Sequence, residues 1–189
     1  MKIGILAVQG AFAEHERALD RLGVDHFQIR NRSDLDVIPD GLIIPGGEST
    51  VIGKLMSDLG IGCVLRKRIS DGLPTFGTCA GLILLAENID NDARTYLGTF
   101  PMTVTRNAYG RQLGSFSAVS EFADRGKIPM EFIRAPAITS VGKGAEVLSR
   151  VDGKIVAARF RNQLVTAFHP ELTSDDTVHR YFLDMISGR

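Results

Sequence analysis

The sequence predicts an α/β fold: one domain over residues 1–189, with a mixed, mostly parallel sheet flanked by helices in three layers. Apolar strand-like runs alternate with helical segments in the first half of the chain, which is typical of a parallel sheet covered on both faces. Short β-type segments follow one another in the second half, which predicts antiparallel additions to that sheet. The length of 189 residues suits one domain with a full-sized core.

The elements of the first half are predicted from apolar runs and helical spacing. In the first helix, Phe12, Leu19 and Leu22 recur at helical intervals, and Gly23 ends the segment. The strand before Cys79 leads into a glycine-rich turn. We predict strands at 2–8, 24–29, 41–44 and 74–76, and helices at 11–22, 50–59, 63–70 and 82–86.

The second half is predicted to hold six short strands and a closing helix. Asp152 and Gly153 form a hairpin-turn signal between two of the strands. Ser174 is expected to cap the closing helix, with Asp175 and Asp176 in its first turn, where the helix dipole favours acidic groups. The predicted strands are 102–106, 115–119, 128–133, 146–151, 155–160 and 164–168, and the helix is 174–186.

Composition excludes several classes of function. The chain has 22 basic and 22 acidic residues, which argues against nucleic acid or an anionic membrane as the main partner. The apolar start of the chain stops at Gln9, so it is predicted to be a buried strand rather than an export signal. Cys63 and Cys79 cannot build a disulfide framework, and a reducing cytoplasm is the expected location. No metal-ligand spacing is present, and neither a metal nor another cofactor is expected.

The segment 77–81, GTCAG, has the spacing of a nucleophile elbow. A turn this tight accepts only small neighbours, and it presents the Cys79 thiol at the start of a helix, where the thiolate is favoured. The alternative is a small cysteine packed in a glycine-rich turn. Cys63 lies in an apolar context without such an elbow, and it is predicted to be a core or inert cysteine.

The segment 169–171, HPE, is the candidate partner of the thiol. In extended backbone, residues two apart point to the same side, so Glu171 can orient His169 and stabilise its imidazolium. The alternative is an ordinary ion pair in a solvated loop. His15 and His179 fall in predicted helices and are expected at the surface.

Two further segments are candidates for binding. The glycines of 45–49, PGGES, follow a predicted parallel strand, and an N–H here could form an oxyanion hole with the Ala80 N–H. A simple turn before a helix is the alternative. Arg106, in the polar segment 106–112, or Arg134, in 133–136, could hold a carboxylate in bidentate fashion. Surface solvation or an ordinary ion pair is the alternative for both arginines.

The segments 77–81 and 169–171 together resemble the triad-type, class I glutamine amidotransferases. With segments 7–15, 45–50, 106–112, 132–136 and 168–172 in this order, nearly the whole chain resembles the glutaminase subunits of pyridoxal 5′-phosphate synthase. The resemblance implies that L-glutamine is hydrolysed to glutamate and ammonia through a Cys79 thioester. It implies His169 as acid and base, Glu171 as orienting group, and the N–H groups of Gly47 and Ala80 as oxyanion hole. The implied glutamine-binding residues are Gly46, Gly47, Glu48, Ser49, Arg106, Ile133 and Arg134.

The resemblance also implies a partner, a (β/α)₈-barrel synthase subunit in a large hetero-oligomer. That subunit uses the ammonia with a pentose phosphate and a triose phosphate to build pyridoxal 5′-phosphate. Docking is expected to activate the glutaminase by reorienting the Gly46–Gly47 peptide, with Gln9 and Gly10 in the contact. Three alternatives stay open: a glutaminase subunit of another pathway, such as histidine biosynthesis; a stand-alone thiol hydrolase of γ-glutamyl compounds; and a non-enzymatic binding module.

Overall fold

The computed structural model describes residues 1–90, 92–109 and 114–188. In this part of the chain, ten strands form one sheet and two form a separate hairpin. The strands are β1 (Lys2–Leu6), β2 (Asp25–Ile29), β3 (Gly41–Ile44), β4 (Thr75–Thr78), β5 (Ala86–Ile89), β6 (Phe100–Thr105), β7 (Ser115–Glu121), β8 (Lys127–Ile133), β9 (Ala137–Val141), β10 (Ala145–Val151), β11 (Lys154–Phe160) and β12 (Gln163–Thr166).

Helices connect the parallel strands and close the chain. Short 3₁₀ segments at Arg32–Asp36 and Pro170–Leu172 supplement them. Among the described residues, no helix combines the length and apolar character that crossing a bilayer requires. The α-helices are α1 (Phe12–Arg21), α2 (Ser49–Asp58), α3 (Gly62–Ser70), α4 (Ala80–Leu85) and α5 (Thr177–Ser187).

The large sheet has a parallel half and a mixed half. Its order is β2-β1-β3-β4-β12-β11-β9-β6-β5, and β10 pairs with β11 outside this path. The neighbours from β2 to β12 are parallel, whereas β12-β11, β11-β9, β9-β6 and β10-β11 are antiparallel. The separate hairpin is β7-β8. The predicted mixed sheet with a parallel centre is confirmed.

Strand β4 demonstrates the three layers, because alternate side chains of a strand point to opposite faces of the sheet. Phe76 packs against two rings on one face, 5.9 Å from His15 of α1 and 5.8 Å from His179 of α5. Gly77 faces α4 instead, since a Cβ on Gly77 would lie 2.8 Å from the Gly81 backbone. Helices therefore cover both faces of the sheet, as predicted.

The hairpin predicted at Asp152 and Gly153 is present between β10 and β11. Val151 pairs with Lys154, and the two turn residues have φ angles of 48° and 76°. Positive φ at both central residues matches the right-handed twist of the flanking strands.

Three local predictions are wrong. The predicted strands do not include β5 and β9, because each is short and carries exposed polar residues that weaken the apolar pattern. Helix α4 begins at Ala80 and ends before Ala86, the first residue of β5. Helix α5 begins at Thr177 rather than near Ser174, because side-chain hydrogen bonds stabilise a turn before it: the Thr177 N–H donates to Asp175 Oδ1 at 2.8 Å.

Candidate active site

Four parallel strands end at the same edge of the sheet and bring distant segments together. Cys79 directly follows β4, and the glycines at 46 and 47 follow β3 after one proline. Gln9 lies beyond β1, and His169 lies beyond β12. This carboxyl-terminal edge is where open α/β sheets bind ligands.

Cys79 occupies a sharp strand-to-helix turn. Its φ of 47° and ψ of −97° lie outside the usual region for a residue with a Cβ. The turn is tied to β12, because the Cys79 N–H donates to the Thr166 carbonyl at 2.8 Å. A Cβ on Gly81 would come within 2.1 Å of the Ile44 carbonyl oxygen, so only glycine lets α4 start this close to β3. The result is a thiol that is 7 % exposed at the cavity.

His169 and Glu171 form a buried pair beside the thiol. His169 Nδ1 lies 2.7 Å from Glu171 Oε1, and the two residues are 6 % and 4 % exposed. The His169 N–H donates to the Glu131 carbonyl at 2.8 Å, which anchors the segment to β8. Pro170 begins the 3₁₀ turn between the two side chains. These contacts leave the second ring nitrogen of His169 for the thiol side.

The electrostatics of this pair favour an imidazolium at His169 beside the Glu171 carboxylate. Burial opposes the charged ring, but hydrogen bonding and charge from Cys79 and Glu171 outweigh it and raise the pKa of His169 to about 10. Burial likewise opposes the Glu171 carboxylate, but His15 and the hydrogen bond from His169 lower its pKa. An imidazolium beside Cys79 stabilises the thiolate, the reactive form of the nucleophile.

A cavity of about 250 Å³ opens above the thiol. Sites for drug-sized ligands are usually larger, roughly 300–1,000 Å³, so this cavity suits a molecule of amino-acid size. Gly46, Ala80 and Glu171 lie outside its wall. The wall is formed by Gln9, Gly47, Glu48, Ser49, Cys79, Ile83, Arg106, Asn107, Ile133, Arg134 and His169.

Unusual backbone angles concentrate at this cavity. In the described part of the chain, six non-glycine residues have positive φ. Three of them line the wall: Cys79 at 47°, Asn107 at 49° and Arg134 at 43°. Such conformations persist only where surrounding contacts enforce them, and they are frequent at functional sites.

Gly46 and Gly47 lie between the β1–α1 loop and the reactive residues. A Cβ on Gly46 would collide with His169 Cε1 at 2.3 Å, and one on Gly47 would collide with Gln9 Oε1 at 2.5 Å. The Ala11 N–H donates to the Gly46 carbonyl at 2.9 Å. Because a trans peptide is planar, the Gly47 N–H points away from Ala11. Ala80 is the first residue of α4, so its N–H has no acceptor within the helix.

The two candidate arginines have different surroundings. Arg106 lines the cavity but is already paired, with Nη1 3.1 Å from Asp92 and Nη2 3.1 Å from the Tyr96 hydroxyl. Arg134 is exposed at the cavity, and its N–H donates to the Gly114 carbonyl. Residues 110–112 of the polar segment lie outside the described residues.

Three expectations about other side chains are corrected. His15 and His179 are not at the surface, since they are 0 % and 1 % exposed. The apolar spacing of α1 gave a signal for this, because His15 lies three residues after Phe12 on the face that Leu19 continues. Cys63 is exposed on α3 rather than in the core.

Sequence reasoning missed three residues of the cavity wall: Gln9, Ile83 and Asn107. Gln9 was expected only at a partner contact, although its position after β1 places it at the same sheet edge. Its side-chain oxygen accepts a hydrogen bond from the Glu48 N–H at 2.9 Å. Among the described residues, no cluster of three or more His, Cys, Asp or Glu side chains is arranged to hold a metal.

Comparison with known proteins agrees with this geometry. A model of the SNO glutamine amidotransferase family matches residues 5–188. The chain is 62 % identical over 188 residues to the pyridoxal 5′-phosphate synthase subunit PdxT of Methanocorpusculum labreanum, covering 100 % of this chain and 99 % of the relative. It is 54 % identical to the protein of the same name from Desulfitobacterium hafniense, covering 100 % and 94 %.

A solved structure described as a glutamine amidotransferase is similar throughout. Its TM-score is 0.93 at 44 % sequence identity, with 98 % of each chain covered.

Proposed function

The chain belongs to the SNO glutamine amidotransferase family, and on this premise we propose that it hydrolyses L-glutamine at Cys79 and supplies the ammonia to a pyridoxal 5′-phosphate synthase. The observation that carries the proposal is the thiol of Cys79, at the floor of an amino-acid-sized cavity, beside the buried His169–Glu171 pair. A nucleophile, a base and a group that orients the base are the parts that acyl transfer requires.

Glutamine enters with its side-chain amide over the thiol. Arg106 and Arg134 supply positive charge at the wall, which suits the α-carboxylate of the substrate. Glu48, Ser49 and Ile133 line the same wall. Gly46 lies behind the wall and packs against the His169 ring. The arrangement binds a free amino acid and brings its amide carbon to the sulfur.

In the first step, the Cys79 thiolate attacks the amide carbon and a tetrahedral oxyanion forms. The His169 imidazolium donates its proton to the nitrogen as the C–N bond breaks, and ammonia leaves with a thioester behind it. Glu171 keeps the ring oriented and balances its charge. The N–H groups of Gly47 and Ala80 donate to the oxyanion, and losing one such donor typically costs roughly 3 kcal/mol in the barrier.

In the second step, neutral His169 takes a proton from water as the oxygen attacks the thioester. The tetrahedral species collapses, the C–S bond breaks, and glutamate leaves as the Cys79 thiolate and the imidazolium are restored. Atoms and charge balance over the cycle: glutamine and water become glutamate and ammonia, and the proton lost by the new γ-carboxyl group goes to solvent or to the ammonia.

Ammonia is useful only if it reaches a second active site before it escapes to water. We therefore expect a (β/α)₈-barrel synthase subunit, in a hetero-oligomer, to dock at the Gln9–Gly10 loop. The loop holds the Gly46 carbonyl through Ala11, so a shift of the loop is coupled to the orientation of the Gly46–Gly47 peptide. Docking would thereby align the Gly47 N–H with the oxyanion.

The direct test is ammonia release from L-glutamine, measured with the chain alone and with the synthase subunit added. We expect activity that rises on mixing, and that Cys79→Ala abolishes. Cys63→Ser is the matched control, because it removes the other, exposed thiol and should leave the rate unchanged. Strong activity that the synthase does not alter would instead indicate an independent hydrolase.

A further inference from the structure

A chain of buried polar side chains continues behind the His169–Glu171 pair. Glu171 Oε1 is occupied by His169, but Oε2 has no hydrogen-bond partner among the described residues. The ring of His15 lies beside it, with Nε2 3.6 Å from Oε2. His15 Nε2 also lies 3.2 Å from Thr78 Oγ1, and its Nδ1 lies 3.0 Å from His179 Nε2.

Packing fixes both of these rings. They are almost completely buried, and Phe76 lies edge-on to each at about 6 Å between centroids. His15 lies on α1 and His179 lies on α5, so this contact connects the first and the last α-helix behind the site. Neither ring reaches the cavity wall.

Burial favours the neutral form of both rings. Burial lowers the pKa of His15, and the charge of His169 lowers it further, whereas the charge of Glu171 opposes the shift. Burial also lowers the pKa of His179 to about 3, although Glu171 and Asp176 oppose the shift. The remaining charged groups that face the pair are Glu14 beside His15 and Arg21 beside His179.

A neutral imidazole carries one N–H, and the contacts determine where it lies. With the proton on Nδ1 of His15, the lone pair of Nε2 would face the oxygens of Glu171. With the proton on Nε2, the N–H points towards Thr78 and Glu171, and Nδ1 accepts from His179 Nε2–H. His179 Nδ1 has no partner among the described residues, and in this second arrangement it carries no hydrogen. Since a buried lone pair without a partner costs less than a buried N–H without one, the second arrangement is favoured.

We infer that His15 is a positioning residue of the active site: its neutral ring directs Nε2–H at Thr78 and the free oxygen of Glu171, and His179 holds it in that tautomer. The inference deepens the proposed function and rests on it. At 3.6 Å the Nε2–H lies beyond hydrogen-bond distance of Glu171 Oε2, so the packed neutral ring acts on the carboxylate as a dipole and does not cancel its charge. An arginine or lysine in this place would compensate the carboxylate and weaken its hold on the His169 imidazolium.

The test measures the reactivity of the thiol as a function of pH, and it needs no substrate. In a Cys63→Ser background, iodoacetamide reports the Cys79 thiolate alone. His15→Leu removes the N–H and should raise the pH midpoint of alkylation by about one unit, since a less restrained Glu171 stabilises the imidazolium less. His15→Gln, which keeps an N–H at similar reach, should restore most of the shift. His26→Leu is the matched control and should change nothing, because His26 lies on β2 and bonds to Asp20.

Glutamine hydrolysis with the synthase present gives the second readout. His15→Leu should lower kcat about tenfold or more, because a less restrained Glu171 orients His169 less well, with little change in KM for glutamine. An unshifted alkylation midpoint in His15→Leu would overturn the inference. An alkylation shift in His15→Leu, combined with a wild-type chain that never releases ammonia, would instead refute the proposed function and leave the positioning role supported.

The tautomers give a check on the wild-type protein that does not depend on a folded His15 variant. In wild-type protein labelled with ¹⁵N-histidine, we expect His15 and His179 to be neutral with Nε2–H above pH 6.5. The His26→Leu spectrum assigns one of the remaining rings. A His15 signal from an imidazolium, or from the Nδ1–H tautomer, would contradict the inference.

Discussion

Arg106 reaches the cavity already held by two other side chains. Asp92 and the Tyr96 hydroxyl each lie 3.1 Å from one of its terminal nitrogens. Hydrogen bonds from Arg94 hold the pKa of Asp92 at about 2, so the Asp92–Arg106 pair stays charged at any pH at which the enzyme could work. A pre-oriented guanidinium loses less side-chain entropy when a carboxylate arrives.

Asp92→Asn should therefore weaken glutamine binding more than it slows the chemistry. We expect KM to rise about threefold with kcat nearly unchanged, in keeping with the modest energies of partly exposed pairs. Steady-state kinetics with the synthase present would measure both. Asp71→Asn breaks the surface pair with Lys67 and is the matched control. A fall in kcat without a rise in KM would contradict this role of Asp92.

Gly47 has no room for a side chain. A Cβ there would lie 2.5 Å from Gln9 Oε1 and 3.0 Å from Gly10 Cα, so Gly47→Val must displace the peptide that carries the oxyanion donor. Ammonia release with the synthase present should fall about a hundredfold. Alkylation of Cys79 should persist, because the thiol and His169 remain. Normal hydrolysis by Gly47→Val would refute the oxyanion role.

At the scale of elements, the site depends on how closely α4 approaches the sheet. All six of its residues are buried, and its first turn follows Cys79 directly. Gly77 and Gly81 make the approach possible, since a Cβ on either would meet backbone within 3 Å. The elbow is thus a contact between β3, β4 and α4 as well as a local turn.

Gly81→Ala should separate α4 from β3 and destabilise the protein by about 1–3 kcal/mol, the usual range for overpacking. Because Cys79 precedes this helix, its alkylation rate should also fall. Chemical denaturation measures the loss of unfolding free energy. Gly62→Ala in α3 is the matched control, since its Cβ would lie at an ordinary 3.6 Å from Met56. Equal stability of the two variants would show that the close approach is not required.

At the scale of the whole molecule, the buried histidines link folding to pH. A histidine with a folded-state pKa below its unfolded value binds fewer protons in the folded state, so stability falls as pH falls below about 6.5. His179, with a pKa of about 3, alone lowers the free energy of unfolding by about 2 kcal/mol between pH 7 and pH 5. His15 acts in the same direction. His169 acts oppositely: its raised pKa contributes stability that is lost between pH 6.5 and about 10.

His179→Leu should flatten the acid side of this profile. Urea denaturation at pH 7 and pH 5 measures how much unfolding free energy each protein loses on acidification. Because the two values for one protein share the same packing, the effect of the substitution on packing cancels when they are subtracted. We expect the wild-type loss to shrink by about 2 kcal/mol in the variant. Val178→Ala changes the packing at the neighbouring buried position without removing a titratable group, and it should leave the loss unchanged. An equal pH dependence in wild type and His179→Leu would contradict the linkage.

The sequence by itself determined the alternation of strands and helices, the turn at 152–153, and the positions of Cys79 and His169 after strand ends. These features depend on neighbouring residues: apolar spacing, glycine at tight turns, and the rule that parallel strands end at one edge. The predicted residues of the cavity wall follow from the same rule.

Only the tertiary structure decided which side chains stand behind the reactive ones. His15 and His179 meet although they lie 164 positions apart, and Asp92 reaches Arg106 from a different strand connection. Strands β5 and β9 likewise form where β6 supplies their hydrogen-bond partners. Local patterns report what a residue's neighbours in sequence prefer, whereas burial and pairing at these positions are set by contacts that form only when the sheet is complete.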